Sequence, residues 1–258
     1  MAYELYDMHC HLGFMSNALE VARDAEALGL ALFANTVTPH EYKASLRELA
    51  HQPNVRIGVG LHPWWIADGR VTANDVDLAV AQVDASAYVG EVGLDYSPAH
   101  ADPSSYARQL CVFERIIRAC AFEPHPERTR VISIHAVRSA SAVLDVLERT
   151  DCLSECHCIF HWFSGTSDEL HRAVRAGCWF SINEMMLRTR RGREYARQLP
   201  KDRLLLETDL PPGEDVPFAA AEIHASLMRT AEQIAQIRGM STADIAAITL
   251  DNGLFLLD

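Results

Sequence analysis

The chain has 258 residues, of which 49% are hydrophobic and 22% are charged, so it can bury a large core and fits one α/β domain. Its 23 basic and 35 acidic residues give a formal charge of −12, which argues against capture of nucleic acid by a broad basic surface. A membrane span would need about 18 consecutive apolar residues, and a secretory signal would need a basic start before an apolar stretch. Neither pattern occurs, so we expect a cytoplasmic protein without contact to a membrane.

Short runs rich in Val, Ile, Leu and Phe alternate with longer helical patterns from one end of the chain to the other. The predicted strands, in chain order, are Glu4–His9, Leu30–Val37, Val55–Leu61, Ala87–Leu94, Arg130–His135, His157–Trp162, Cys178–Asn183 and Arg203–Thr208. The helical patterns between and after them are Asn17–Leu28, Pro39–His51, Asn74–Val83, Ser104–Ala121, Ser139–Arg149, Asp168–Ala176, Phe218–Arg238 and Thr242–Leu250.

This alternation predicts an α/β fold of the (β/α)₈ type, a distorted TIM barrel that forms a single domain over residues 1–258. Several strands are almost wholly apolar, as expected of parallel strands that are buried on both faces. A doubly wound open sheet is the alternative. It would need a glycine-rich phosphate loop after the first strand, and Asp7 to His11 provide none.

The seven cysteines are odd in number and form no disulfide framework, which favours a reduced, cytosolic setting. Cys156 and Cys158 flank His157 and could be interpreted as part of a metal site. We favour small apolar residues on a buried strand, because no second cysteine pair lies at zinc-ribbon spacing.

Five of the predicted strands contain in their carboxyl-terminal half, or are closely followed by, a side chain that can bind a metal ion. These side chains are His9, His11, Glu91, His135, His161 and Asp209. In a parallel barrel the carboxyl ends of the strands converge on one mouth, where the active sites of this architecture lie. His9 and His11 are two residues apart, so an extended strand directs both to the same side. The sequence therefore predicts a metal site at the barrel mouth.

Imidazole and carboxylate ligands suit divalent ions, and we expect two of them, with Zn²⁺, Mg²⁺ or Mn²⁺ as candidates. Glu91 is the predicted bridge, because each of its oxygens can bind one ion. Asp209 follows the last strand, which closes on the first, and is the predicted general base for the attacking water. The alternatives are that Glu91 is a structural carboxylate and that Asp209 caps a turn before Pro211.

Together these segments resemble the TatD family of metal-dependent deoxyribonucleases, within the amidohydrolase-like barrel superfamily. The resemblance covers almost the whole chain and rests on Asp7-Met8-His9-Cys10-His11-Leu12, Gly60-Leu61-His62-Pro63, Val89-Gly90-Glu91-Val92-Gly93-Leu94-Asp95-Tyr96, Ile134-His135, Phe160-His161-Trp162-Phe163-Ser164-Gly165 and Leu205-Leu206-Glu207-Thr208-Asp209.

The resemblance implies a phosphodiester substrate, with His62 near a phosphate and Asp209 activating the water that attacks phosphorus. It also implies that one metal is held by His9, His11, Glu91 and Asp209. The other metal is then held by Glu91, His135 and His161.

The sequence departs from the family pattern at positions expected to contact the substrate. Gly13 replaces an acid, Trp64 replaces a histidine, and Arg138 stands one place late because Val137 intervenes. An acidic loop, Leu210-Pro211-Pro212-Gly213-Glu214-Asp215, follows the last aspartate. With His62, we expect Trp64 and Arg138 to bind substrate.

Two further features leave alternatives open. The neighbouring rings of Trp64 and Trp65 could stack on a nucleobase or could pack beside the mouth. A basic cluster, Arg188, Arg190, Arg191 and Arg193, could bind phosphate at the mouth or could form a solvated helix face.

The leading hypothesis is therefore a two-metal hydrolase of the TatD type, a DNase or phosphodiesterase. It would act on DNA, as single strands or ends, or on a small phosphoester. The alternative is a two-metal hydrolase of a small ester, amide or cyclic amide, because similar barrels carry out that chemistry. A binding protein that has lost turnover is a third hypothesis, which the presence of Asp209 disfavours. The sequence leaves the oligomeric state open.

Overall fold

The computed structural model describes residues 3–98, 102–122 and 125–258. Its centre is an eight-stranded parallel sheet in which each strand pairs with the next along the chain. The strands are β1 (Leu5–Cys10), β2 (Leu30–Asn35), β3 (Val55–Leu61), β4 (Tyr88–Asp95), β5 (Arg130–Val137), β6 (Cys156–His161), β7 (Trp179–Ile182) and β8 (Leu204–Leu206). The prediction of a barrel of the (β/α)₈ type is confirmed.

Helices follow the strands and cover the outside of the sheet. They are α1 (Ala18–Ala27), α2 (Pro39–Leu49), α3 (Pro63–Ala67), α4 (Ala73–Asp84), α5 (Pro103–Phe122), α6 (Ala140–Arg149), α7 (Cys152–Glu155), α8 (Ser167–Arg175), α9 (Glu184–Leu187), α10 (Arg190–Gln198), α11 (Ala220–Arg238) and α12 (Thr242–Leu257). Across the described ranges, no helix combines the length and the apolar character needed to cross a membrane.

The barrel is closed between β8 and β1 by bonds that form beyond the end of the short strand β8. The main-chain N–H of Asp209 donates to the carbonyl of His9 over 2.8 Å, and that of His11 donates to Leu210 over 2.8 Å. The buried carboxylate of Asp7 accepts from the Thr208 hydroxyl over 2.6 Å. These bonds fix the last segment beside the first strand and so place Asp209 next to His9 and His11.

Helix α12 is longer than predicted. The predicted range ends at Leu250, but the helix continues through Asn252 and Gly253, residue types that are common just after a helix, to Leu257. Gly253 lies against the side chain of Tyr6, where an added Cβ would be 3.0 Å from the nearest carbon. The glycine thus permits close approach of the helix to β1 instead of ending the helix.

The far end of α12 covers the amino-terminal end of the barrel. Leu256 and Leu257 are buried in one apolar cluster with side chains from inside the barrel, such as Met8 and Phe33. The Leu257 carbonyl accepts from the Tyr88 hydroxyl over 2.8 Å. This end of the barrel is therefore filled, and the carboxyl ends of the strands form the open end.

Four short helices, α3, α7, α9 and α10, were not predicted, because each lies within a connection where no apolar periodicity of sufficient length develops. Helix α10 contains most of the basic cluster and begins after Thr189, whose hydroxyl accepts from the Gly192 N–H over 2.9 Å. The short β8 also ends two residues before the predicted boundary. Glu207 N–H still donates to the main chain of β7, but Thr208 N–H donates to the side chain of Asp7.

Candidate functional site

A cavity of about 480 Å³ opens at the carboxyl ends of the strands. We call it the mouth cavity. Its described lining is mainly aromatic and apolar around a polar floor, and none of these residues is lysine or arginine. The lining residues are His11, Phe14, Val37, His62, Trp64, Trp65, Glu91, Asp95, Ser97, His135, Ala136, Val137, His161, Trp162, Ser164, Asp209, Pro211 and Pro212.

The carboxylate of Glu91, which is 3% exposed on β4, is the centre of the floor. Its Oε1 lies 3.0 Å from His62 Nε2, 2.8 Å from His135 Nδ1 and 3.0 Å from His161 Nε2. The three imidazoles come from the ends of three different strand units, and they meet because β3 and β5 flank β4 and β6 follows β5 around the barrel.

The other oxygen of Glu91 faces the first and last strands. Its Oε2 lies 3.6 Å from His9 Nε2 and 3.5 Å from His11 Nε2. Asp209 Oδ1 lies 3.7 Å from the same atom of His9 and 3.2 Å from that of His11. The six side chains predicted as metal ligands therefore gather around one carboxylate whose two oxygens face different groups of imidazoles.

Partners behind the imidazoles leave one nitrogen of each ring directed at the acidic oxygens. His11 Nδ1 donates to the Asn35 carbonyl over 2.9 Å, and His9 Nδ1 lies 2.7 Å from the Ser133 hydroxyl. His135 Nε2 lies 3.0 Å from Asp95 Oδ2. This arrangement is typical of metal-binding histidines, in which an outer acceptor selects the tautomer that presents a lone pair to the ion.

His62 has the opposite arrangement. Its Nδ1 accepts from the main-chain N–H of Trp64 over 3.1 Å at the start of α3, so the neutral ring carries its proton on Nε2. Burial lowers the pKa of His62 to about 4, which keeps the ring neutral near pH 7. His62 is thus a hydrogen-bond donor toward the mouth cavity, as a phosphate-binding residue would be.

The chemistry and spacing of these groups fit divalent ions. In two groups, His9–His11–Glu91 and His9–His161–Asp209, the candidate ligand atoms lie within 4.8 Å of one another. A third such group, His62–Glu91–His135, includes His62, whose Nε2 carries a proton and therefore donates. In the described residues His9 Nε2 is buried without a hydrogen-bond partner. A buried nitrogen without a partner is costly, and an ion between it and Glu91 would remove that cost.

The electrostatics of the floor also favour a bound cation. Burial acts to raise the pKa of Glu91, but the surrounding imidazoles, chiefly His62 and His161, hold it well below its usual value. Burial together with the nearby His161 lowers the pKa of His9 to about 3. Burial likewise acts to lower the pKa of His11, but the hydrogen bond to Asp209 and the charge of Glu91 outweigh it and raise that pKa to about 9.

Asp209 lies on the solvent side of the floor, with 23% of its side chain exposed. Its backbone has a φ of 59°, in the left-handed region that aspartate tolerates better than most residues. Burial acts to raise the pKa of Asp209, but the hydrogen bond from His11 and the charges of nearby histidines lower it. The side chain is therefore an ionised carboxylate that a water molecule in the mouth cavity can reach.

Two of the predicted substrate contacts, His62 and Trp64, line the mouth cavity, but the third does not. Arg138 follows β5 with a φ of 55°, and its side chain is exposed away from the described lining. The basic cluster is also exposed and absent from that lining. The sequence showed the positions of these arginines along the chain, but it did not show whether their side chains face the mouth cavity or the solvent.

Sequence reasoning missed several groups behind the floor, among them Asp95 and Glu207. Glu207 Oε1 lies 3.8 Å from His161 Nδ1 and accepts from Asn183 over 2.8 Å. Alternation could have found both acids: Asp95 is four residues after Glu91 on one strand, and Glu207 is two residues before Asp209.

Another missed group is Glu41 at the start of α2. Its carboxylate accepts from the Val37 N–H over 2.8 Å and fills the space beside Gly13, where an added Cβ would be 2.2 Å from Glu41 Oε1. Glu41 thus supplies a carboxylate next to the position at which the family pattern has an acid.

Comparison with known proteins agrees with this geometry. The family model described as TatD related DNase matches residues 6–257. The chain belongs to the TatD family. The predictions of this family and of a hydrolytic enzyme within it are confirmed.

Relatives of this TatD-family chain match it over nearly their whole length. Deoxyribonuclease TATDN3 of Homo sapiens is 27% identical over 98% of this chain and 94% of its own. The 3′-5′ ssDNA/RNA exonuclease TatD of Citrobacter rodentium is 26% identical over 92% of this chain and 90% of its own. The crystal structure of YjjV, a TatD homologue from Escherichia coli K12, has 19% identity, covers 100% and 99% of the two chains and superposes with a TM-score of 0.81, which supports the barrel fold.

Proposed function

We propose that this TatD-family protein is a nuclease that hydrolyses phosphodiester bonds of DNA with two divalent ions, Zn²⁺, Mg²⁺ or Mn²⁺. The observation that supports it best is that the two oxygens of Glu91 face different histidines. His9 and His11 lie beside Oε2, and His135 and His161 lie beside Oε1. One ion would be held by His9, His11, Glu91 and Asp209. The other would be held by Glu91, His135 and His161.

When bound, two such ions polarise the phosphoryl oxygens and lower the pKa of water, which makes hydrolysis accessible at neutral pH. Asp209 is the general base, because its ionised carboxylate contacts His11 on the floor and also lines the mouth cavity, where a water molecule can reach it. When substrate is bound, His62 Nε2 donates to a phosphate oxygen instead of to Glu91. The ring of Trp64 forms part of the wall against which the nucleoside rests.

We infer that the substrate is a single strand, a strand end or a small phosphodiester. The described lining of the mouth cavity contains no lysine or arginine, and the chain has a net charge of −12, so a long duplex would meet few cationic partners. A cavity of about 480 Å³ is in the range of pockets that take a small ligand or a single residue of a polymer. The names of the two relatives, a deoxyribonuclease and a single-strand exonuclease, are consistent with this substrate class.

The apolar and aromatic lining also favours a second candidate, the hydrolysis of a small ester, amide or cyclic amide. Such a substrate requires the same ions and the same base but no phosphate contact from His62. We further propose a cytoplasmic setting, since the seven cysteines are free and six of them are buried.

The test is to strip the protein of metal, reload it separately with Zn²⁺, Mg²⁺ and Mn²⁺, and measure metal content and cleavage of end-labelled DNA. We expect cleavage only in the reloaded samples, with single strands cut faster than duplexes. A parallel panel of a diaryl phosphate, lactones and cyclic amides distinguishes the second candidate. Hydrolysis of lactones or amides, with no phosphodiester cleavage at full metal content, would replace the nuclease proposal.

Metal affinity should depend on pH in a defined direction. The pKa of His11 is raised to about 9 in the metal-free protein, so near pH 7 this imidazole must lose a proton before it can bind an ion. The apparent affinity should therefore increase by about tenfold per pH unit for each proton displaced between about pH 6 and pH 8. Competition with a chelator measures this slope. The lowered pKa of His9, about 3, means that His9 adds nothing to it in this range.

A further inference from the structure

The side chain of Asp95 lies directly behind His135 on the side opposite Glu91. Asp95 is the last residue of β4 and is 1% exposed. Its Oδ2 is 3.0 Å from His135 Nε2, and its Oδ1 accepts from the Ser97 N–H over 2.7 Å. An ionised carboxylate only accepts, so His135 donates from Nε2 and presents Nδ1 toward Glu91 and His161.

A second donor binds the same oxygen of Asp95. The indole Nε1–H of Trp64 lies 2.7 Å from Oδ2. Trp64 is 41% exposed and lines the mouth cavity, so one ring contacts both the space for substrate and the partner of a candidate metal ligand. The edge-on contact of Trp64 with His62, at 4.8 Å between ring centroids, restricts the plane of the indole.

The main chain of Asp95 is also held. Gln109 on α5 accepts from its N–H over 2.7 Å and donates to its carbonyl over 3.1 Å. The position of the carboxylate is thus fixed from behind, and the side-chain donors Trp64 and His135 determine its direction. Without the Trp64 donor, Asp95 Oδ2 keeps only His135 and Oδ1 keeps the Ser97 N–H, so the direction of Oδ2 toward His135 is less restricted.

We propose that Trp64 and Asp95 are positioning residues that orient His135 for the second ion, in a hydrogen-bonded chain from Trp64 through Asp95 to His135. This rests on the proposed metal site, which assigns His135 to that ion. The chain explains why an indole can occupy a position where the family pattern has a histidine, because both rings provide an N–H donor. Outer partners of metal-bound histidines commonly contribute about 10-fold to 100-fold in metal affinity.

Trp65 provides the matched control. Its ring also lies edge-on to His62, at 5.1 Å between centroids, and it lines the same cavity. Its own cation–π partner is Arg70, 4.7 Å from the ring, and it is not among the hydrogen-bond partners found for Asp95 in the described structure. Trp64→Phe and Trp65→Phe therefore make the same change of an indole ring to a phenyl ring at the cavity, but only Trp64→Phe removes a hydrogen-bond donor to Asp95.

The experiment titrates metal-stripped protein with Co²⁺ and follows the visible absorption of the bound ion, which reports its ligand geometry and needs no enzymatic turnover. The variants are Trp64→Phe, Trp65→Phe, Asp95→Asn and the double variant Trp64→Phe/Asp95→Asn. For the ion assigned to Glu91, His135 and His161, we expect Trp64→Phe to weaken binding by about 3-fold to 10-fold and Asp95→Asn to weaken it by about 10-fold to 100-fold. Trp65→Phe should bind as the wild type does.

The double variant tests whether Trp64 acts on His135 through Asp95. If Trp64 acts through Asp95, the double variant binds Co²⁺ no more weakly than Asp95→Asn alone, because the second substitution has no partner left to affect. Thermal unfolding with chelator present checks that each variant is folded. The proposal is overturned if Trp64→Phe binds like the wild type, if both tryptophan variants weaken binding equally, or if the two effects multiply. Failure of the wild type to bind Co²⁺ would overturn the metal site itself.

Discussion

Replacement of Glu91 by glutamine should reduce DNA cleavage by about 10⁴-fold or more, because the substitution removes the negative charge shared by both groups of imidazoles. A glutamine amide directs an N–H₂ group at part of the floor and cannot bridge two cations. We expect both ions to be lost together. Metal content after dialysis and single-turnover cleavage measure the two effects independently.

The control for this substitution is Glu232→Gln, which makes the same chemical change on the exposed side of α11. It should cleave at the wild-type rate and keep its metal. If Glu91→Gln kept both ions and cleaved DNA within about tenfold of the wild type, the bridging role of Glu91 would be wrong.

Replacement of Asp209 by asparagine should lower kcat by about 10²-fold to 10⁴-fold, the range of a lost general base. The amide keeps an oxygen that can face His11, now 3.2 Å from Asp209 Oδ1, so the metal content should fall less than in Glu91→Gln. The acidic limb of the pH–rate profile provides a second readout. In the wild type the Asp209 pKa is lowered, so cleavage should persist on the acid side until this carboxylate is protonated, and the limb should be lost in the variant.

Asp215→Asn is the matched control, because it removes the same charge from an exposed position in the acidic loop that follows Asp209. We expect its kcat to stay within about twofold of the wild type, as is usual for an exposed charge away from the reacting atoms. A general-base role for Asp209 is excluded if the two variants lose activity equally. Measurement at saturating metal separates lost chemistry from lost metal.

The strand-end pattern made much of the fold and the candidate site predictable. Parallel strands must be buried on both faces, so a polar residue at the end of an apolar run is visible in the sequence as an exception. Because all strands of a barrel point the same way, such exceptions at Glu91, His135 and His161 are brought to one rim by topology alone. The distances between them, all about 3 Å, agree with that argument.

The residues behind the floor were much less predictable. Alternation relates Asp95 to Glu91 and Glu207 to Asp209, but only the tertiary structure shows that Asp95 contacts His135 and that Glu207 lies behind His161. The Asn35 carbonyl that orients His11 has no side-chain signal at all. Arg138 was expected at the substrate because the family pattern has an arginine close after His135, yet its side chain is exposed and is not part of the described lining of the mouth cavity.

By itself, the sequence determined the barrel, the family and the identity of the side chains that gather at the mouth. The barrel and the meeting of these side chains at the mouth follow from periodicity and strand direction, which are local properties that repeat along the chain. The family followed instead from the resemblance of the motifs. Only the tertiary structure decided which nitrogen of each imidazole faces Glu91, which acid stands behind which histidine, and that Trp64 contacts both the cavity and Asp95. Hydrogen-bond direction depends on groups that are far apart in sequence, so it is fixed only when the strands close around the site.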